Sequence, residues 1–224
     1  CQVSAQQSDG SQTSTEVSTS TLSETNSEET FFTTEQVHTI DLKVDETVLA
    51  EMIAAYQEDG SKNWIEATVT IDGETFQNVG LKLKGNSTLK SAIQQSTDSL
   101  NAEELPWVIR LDKYVDDQAY LGRTRFVIRK NNTESSMNEA LALAMLEEAG
   151  VATQASAFTR FTVNGSAEKL TLVVDVPDDD LWTEEQFGDN GLLYKAEAGG
   201  DYSYHGTEAA DYADAFDQKY GDDD

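Results

Sequence analysis

The chain has 224 residues, 38% of them hydrophobic, with 15 Lys+Arg against 42 Asp+Glu, a formal net charge of −27. Such an acidic balance speaks against binding nucleic acid or an anionic membrane through a general surface field. The length allows one well-formed core with an appendage, and no apolar run approaches the ~18 residues of a membrane span.

Residues 1–30 are nearly all Ser, Thr, Gln, Glu, Asn and Asp, with isolated apolar residues such as Val3, Val17 and Leu22. Such a stretch cannot bury enough surface to offset its ordering entropy, so it reads as a flexible tether, with the folded part (31–224) beginning near Phe31. The single cysteine is Cys1. A cysteine followed by a polar tether is what lipoprotein signal-peptidase cleavage leaves, which predicts a lipid on Cys1 and an extracytoplasmic domain anchored to a bacterial cell membrane. The alternative is the arbitrary end of a fragment.

Val37 to Val44 alternates as a strand with Ile40, Leu42 and Val44 on one face. Asp45 opens a helix that Gly60 stops, with Val48, Leu49, Met52, Ile53 and Tyr56 at helical spacing. A hairpin follows: Ile65, Ala67, Val69 and Ile71, a turn at Asp72-Gly73, then Val79, Leu81 and Leu83. The return strand sets Lys82 and Lys84 together on its other face. Residues 89–105 read as a polar loop with at most one helical turn. Strands are predicted at Trp107–Leu111 and Arg125–Arg129, then a helix from Met137 to Ala149 with a Ser136/Glu139 capping box and Gly150 as its stop. A second hairpin pairs Ala157–Val163 with Leu170–Val176 around Asn164-Gly165. Two acidic helices are predicted near Asp178–Phe187 and Thr207–Tyr220, with a strand at Leu192–Lys195 between them. Helices among antiparallel hairpins give an α+β fold. The chain stops after a predicted helix and three aspartates, as the leading portion of a larger domain would. Asp178–Asp180 and Asp222–Asp224 read as solvated acidic surface, since no EF-hand spacing is present.

The scarce basic residues gather in one region: Lys82, Lys84, Arg110, Lys113, Arg123, Arg125, Arg129 and Lys130. Positive charge concentrated in so acidic a chain points to an anion, phosphate being the commonest. There is no Walker A sequence and no dinucleotide-binding glycine triplet. His38 and His205 lie far apart in sequence, against a Ser-His-Asp triad or a zinc site. Carboxylates, lysines and arginines are what remains, the equipment of phosphoryl transfer, in which positioning and charge neutralisation do most of the catalysis.

Particular runs carry a resemblance. Val79-Gly80-Leu81-Lys82-Leu83-Lys84-Gly85-Asn86-Ser87, Pro106 to Gln118 (PWVIRLDKYVDDQ), Asn131-Asn132, Asn138-Glu139-Ala140, Asn164-Gly165, Val174-Asp175 and Leu193-Tyr194-Lys195 follow one another over roughly 65–206. In this order they resemble the CotH family of spore-coat-type, secreted atypical protein kinases. The chain departs from the family at Asp117 (Gly in the family), at Lys169-Leu170-Thr171 (Gly-Leu-Tyr) and at Asp175 (Glu). The resemblance implies the nucleotide-embracing, N-terminal portion of an atypical kinase-like domain. The full-length protein would use ATP and a divalent cation (Mg, Mn or Ca) to phosphorylate Ser or Thr of a surface or coat protein. The family's G-N and P-W-D segments, which hold the metal and activate the acceptor, would lie beyond Asp224, so no kinase turnover is expected of residues 1–224 alone.

The implied nucleotide-binding residues are Lys82, Lys84, Asn86, Ser87, Arg110, Arg129, Glu139, Tyr194 and Lys195. Each has a plainer reading. Lys82 and Lys84 also suit an exposed strand edge, and Asn86-Ser87 a turn. Arg110 and Arg129 either clamp phosphate or pair with the abundant carboxylates. Glu139 either pairs with a strand lysine, as a kinase helix glutamate would, or caps its own helix. Tyr194 either stacks on adenine or fills the core. Lys195 ends a short apolar strand that gives it no packing role. If Lys84, Arg110 and Lys195 open into one cleft they form a phosphate pocket; if they point to separate surfaces, the resemblance reports fold alone. The other function classes are a non-catalytic surface or wall-binding module that keeps the fold, and a solute-binding lipoprotein, which would need two similar α/β lobes that the strand pattern does not offer.

Overall fold

The structure is a computed structural model that describes residues 30–33, 35–95, 101–130, 133, 135–177, 180–188 and 191–221. Cys1 and its proposed lipid, the tether up to residue 29, Asn131-Asn132, Asp178-Asp179 and Asp222–Asp224 lie outside the described residues.

Local signals produce the first elements as expected. Strand β1 (Val37–Lys43) leads to helix α1 (Glu46–Asp59). The Asp45 carboxylate accepts from the backbone N–H groups of Thr47 and Val48, and Gly60 closes the helix in the left-handed conformation at φ 80°. Strands β2 (Ile65–Ile71) and β3 (Glu74–Leu83) form the predicted hairpin about Asp72-Gly73, with φ of 49° and 91°. The run predicted as a polar loop instead contains helix α2 (Ser87–Gln95), which buries Leu89, Ala92 and Ile93, followed by a 3-10 turn at Ala102–Glu104. Three apolar residues at i, i+3 and i+4 are enough to seat a helix among polar neighbours.

Strands β4 (Trp107–Arg110) and β5 (Arg125–Ile128), helix α3 (Asn138–Glu148), and the hairpin of β6 (Ser156–Val163) and β7 (Lys169–Val174) follow. Beyond them come helix α4 (Asp180–Phe187) and strands β8 (Leu193–Ala196) and β9 (Phe216–Tyr220). The second acidic helix, predicted at Thr207–Tyr220, is not formed. That stretch makes a 3-10 turn at Ala209–Tyr212 and then β9, which pairs antiparallel with β8. The α+β class holds, with four helices and antiparallel strands among the described residues.

The seven strands of the main sheet close into a barrel in the order β1-β2-β3-β4-β5-β7-β6. Six junctions are antiparallel; β1 and β6 close the ring in parallel, from Val37 against Phe158 to Leu42 against Val163. Closure pairs both edge strands and leaves no open ladder. Asn164 of the β6–β7 turn secures this junction. Its side-chain amide both accepts from Val44 N (2.9 Å) and donates to Val44 O (2.9 Å), while its backbone N–H donates to Leu42 O (2.8 Å).

Inward-facing residues, among them Leu42, Val69, Leu81, Trp107, Ile109, Phe126 and Phe161, fill the barrel and are fully buried. A second apolar layer lies outside β4, β5 and β7, where Val108, Val127, Leu172 and Val174 pack under Ala140 and Leu143 of α3. His38 is also buried, at 1% exposure. Its Nδ1 lies 2.6 Å from Asp72 Oδ2 and its Nε2 lies 2.7 Å from the Phe31 carbonyl, with the Phe31 ring stacked 4.1 Å away. A carbonyl and a carboxylate both only accept, so Nε2 donates to Phe31 and Nδ1 donates to Asp72. Burial pushes the Asp72 carboxyl upward, but hydrogen bonds from Thr39 N–H, His38 and Tyr120 outweigh it and hold the group below its ordinary value.

Candidate anion-binding site

The outer face of the sheet gathers the cations in rows set by strand register. Gly80, Arg110 and Arg125 form one row; Lys82, Val108, Val127 and Val174 form the next. One step further, Lys84 donates its backbone N–H to Pro106 O (3.0 Å), and Arg129 N–H donates to Leu172 O (2.9 Å). Lys84 and Arg129 therefore emerge at one end of the face, and Arg110 at the other.

At the Lys84 end, Gly85 turns the chain at φ +92°, where an added Cβ would stand 2.9 Å from Thr88 Oγ1. Helix α2 departs from this turn, and the first turn of α3 lies across β5. Between them is a cavity of about 200 Å³ lined by Lys84, Gly85, Thr88, Arg129, Lys130 and Glu139, with Pro106, Val127 and Ile128 as its floor. Two neighbouring cavities of about 180 Å³ each share Arg129 and Lys130. One reaches Ser136, Asn138 and Thr171, and the other Glu103, Glu104 and Lys169.

Arg129 stands at the centre. Its Nη2 lies 2.8 Å from Glu139 Oε1, with both side chains about one-third exposed, while its Nε is buried with no acceptor among the described residues. A buried guanidinium N–H is costly without an acceptor, and an anion or a water in the adjoining cavity would supply one. Glu139 thus takes the ion-pair role rather than the capping one. Met137, not Ser136, is the N-cap of α3 and makes no side-chain cap bond, whereas Ser136 sits at φ 56° and donates its hydroxyl to Leu170 O (3.2 Å).

The other end of the face is arranged differently. Lys82 Nζ sits 4.5 Å from the centroid of the Trp64 ring and Lys113 Nζ 5.4 Å from it. Arg110 Nε pairs with Asp112 Oδ1 at 2.7 Å. Strand β3 is hydrogen-bonded on both sides, so Lys82 is not an edge charge. Asn86 and Ser87 are exposed at the head of α2, and Asn86 Oδ1 accepts from Lys62 Nζ (2.8 Å). Tyr194 and Lys195 belong to the separate β8–β9 sheet, where Lys195 is opposite Asp217. Tyr194 is 42% exposed, which rules out the core reading.

The sequence-predicted residues therefore divide. Lys84, Arg129 and Glu139 line one cavity, while Arg110 and Lys195 do not line it, so the phosphate pocket expected of Lys84, Arg110 and Lys195 fails, and an anion site has to rest on the different set Lys84, Arg129 and Lys130. Lys130, named only within the cation-rich region, and Gly85, named only within the Lys84 run, also line the cavity, and Thr88, which follows that run, lines it without having been singled out. The donor set suits phosphate. Among the described residues no group of three or more His, Cys, Asp or Glu is placed to hold a metal ion, so no chemistry is assigned to a metal here.

Comparison with known proteins adds the family. No curated protein matches the chain. A family model described as CotH kinase protein matches residues 81–224, which include Lys84, Arg129, Lys130 and Glu139. By the match over that span, the chain belongs to the CotH kinase protein family.

Proposed function

We propose that this chain is the nucleotide-embracing part of a CotH-like protein kinase. In the full-length protein it would hold ATP while the γ-phosphoryl group passes to a Ser or Thr of a surface or coat protein. The reading includes an extracytoplasmic location and a lipid on Cys1; an unmodified Cys1 in the mass spectrum of the native protein would overturn that part.

The observation that carries the reading is Arg129, bound to a helix glutamate and bordering a cavity with Lys84 and Lys130. Protein kinases depend on an ion pair between a strand lysine and a helix glutamate to align a cation on the nucleotide phosphates. Here the strand cation paired to Glu139 of α3 is an arginine, and its planar fork leaves N–H donors for phosphate while one edge is held. Lys84 and Lys130 supply the point charges that a polyphosphate needs on its other oxygens. ATP when bound would bring the transferable phosphoryl group; the residues described here bind and orient it.

Calorimetric titration with a non-hydrolysable ATP analogue tests this. Arg129→Ala should weaken binding by roughly ten- to a hundredfold, the loss expected for a charged hydrogen-bonding partner worth about 1.5–3 kcal/mol. An unchanged affinity in Arg129→Ala would remove the reading. A non-catalytic surface-binding module is the second reading, and Lys169 favours it: where the family has glycine, this chain places a cation that is held by its own Glu104 (2.8 Å).

A further inference from the structure

The groove at Arg129 does not end at the nucleotide cavity. Past Arg129 and Lys130 it continues into an arm that Lys169 closes on one side and the 3-10 turn Ala102–Glu104 on the other. Lys169 is one of only two cations between residues 131 and 194, at the first position of β7. Its ammonium lies 2.8 Å from Glu104 Oε1, and the hydrogen bond and charge of Glu104, with a smaller contribution from Glu103, hold its pKa above the ordinary lysine value.

The two carboxylates are not on a wandering loop. Leu105 and Trp107 anchor the turn in the core at 1% and 0% exposure, and the Trp107 indole N–H donates to Ala102 O at 2.9 Å. The acids are thus fixed at the mouth of the arm, while the pair they form stays about half exposed (43% for Lys169, 50% for Glu104). An ion pair so exposed contributes little on its own and yields to a better partner.

We propose that Lys130 and Lys169 form a second anion subsite beside the nucleotide cavity, and that Glu103 and Glu104 are its tethered competitors. The ligand it takes is an anionic group carried next to the first phosphate, such as the far end of a polyphosphate, which displaces Glu104 from Lys169. This rests on the reading of Arg129, Lys84 and Lys130 as a phosphate site. The subsite belongs to this chain rather than to the family pattern, because it depends on Lys169.

The test is calorimetric titration of the whole chain with inorganic tripolyphosphate and, separately, with orthophosphate at low ionic strength, where screening is weak. Glu103→Gln/Glu104→Gln should bind tripolyphosphate about two- to fivefold more tightly than the unsubstituted chain, with a smaller change for orthophosphate. Lys169→Gln should lose a similar factor. The control Glu51→Gln/Glu58→Gln removes the same charge from α1, at residues that do not line the groove, and should change neither by as much as twofold. An equal gain in that control would make the effect one of net charge and overturn the proposal. So would an unchanged affinity in Glu103→Gln/Glu104→Gln. In either case Arg129-dependent binding of the ATP analogue would leave the nucleotide reading standing. Absence of binding of any phosphate compound to any variant would remove both.

Discussion

Lys82 in β3 and Lys84, one residue past the end of β3, lie on one face of the sheet, yet they belong to different kinds of surface. Around Lys82 two ammonium groups share the Trp64 ring, and Arg110 holds Asp112. Around Lys84 the neighbouring cation, Arg129, is only partly answered by Glu139, and the surface opens into a cavity. The two ends carry similar positive charge and differ in what the fold sets against it. A cluster of cations in an acidic chain therefore identifies a region; the site within it is where donors border open space.

The largest expected effect sets the two lysines against each other. Lys84→Ala should weaken binding of the ATP analogue by roughly ten- to a hundredfold, and Lys82→Ala by less than about twofold. Equal losses would break the distinction between the ends. Next in size is Gly80→Ala, whose new Cβ would stand 2.6 Å from Lys113 Cβ and Cγ and 3.0 Å from Trp64 Cε3. Forcing that stack apart should cost about 1–3 kcal/mol of stability in urea unfolding, while nucleotide affinity stays within about twofold. A Gly80→Ala protein as stable as the parent would mean that the Trp64 stack yields freely.

The smallest effect comes from a pair outside both rows. The Asp72 carboxyl is held below its ordinary value of 3.8, so the stability it contributes is fully present above about pH 4 and is lost as the pH falls through the lower, folded value. Asp72→Asn, which tolerates the φ of 49° there, should lower Tm near neutrality and flatten its decline in that acid window, without altering phosphate affinity at neutral pH. An acid decline in Tm as steep as the parent's would place the responsible carboxylates elsewhere.

Much of the architecture was legible because its causes are local. Asp45 and Gly60 bound α1, Asp72-Gly73 and Asn164-Gly165 turn two hairpins, and alternation finds β1 to β7, since each depends on residues a few positions apart. Alternation also placed Lys82 and Lys84 on the outer face. Where local signals competed, the reading failed. The acidic run before β9 looks helical, yet its end is drawn into a strand by pairing with β8. Ser136 and Glu139 have capping-box spacing, yet each is claimed by a partner from another element, Leu170 O and Arg129.

The sequence by itself determined the α+β class, the hairpins, the region that holds the cations and, through its ordered runs, the family. Tertiary structure alone decided that the sheet closes, through a parallel β1–β6 junction clamped by Asn164 on Val44, 120 residues away along the chain. It also decided which cations meet. Arg129, Glu139 and Lys84 come together, while Arg110 and Lys195 go elsewhere, because strand register and the landing of α3 on the sheet set those distances and neither is written in the spacing of neighbouring residues.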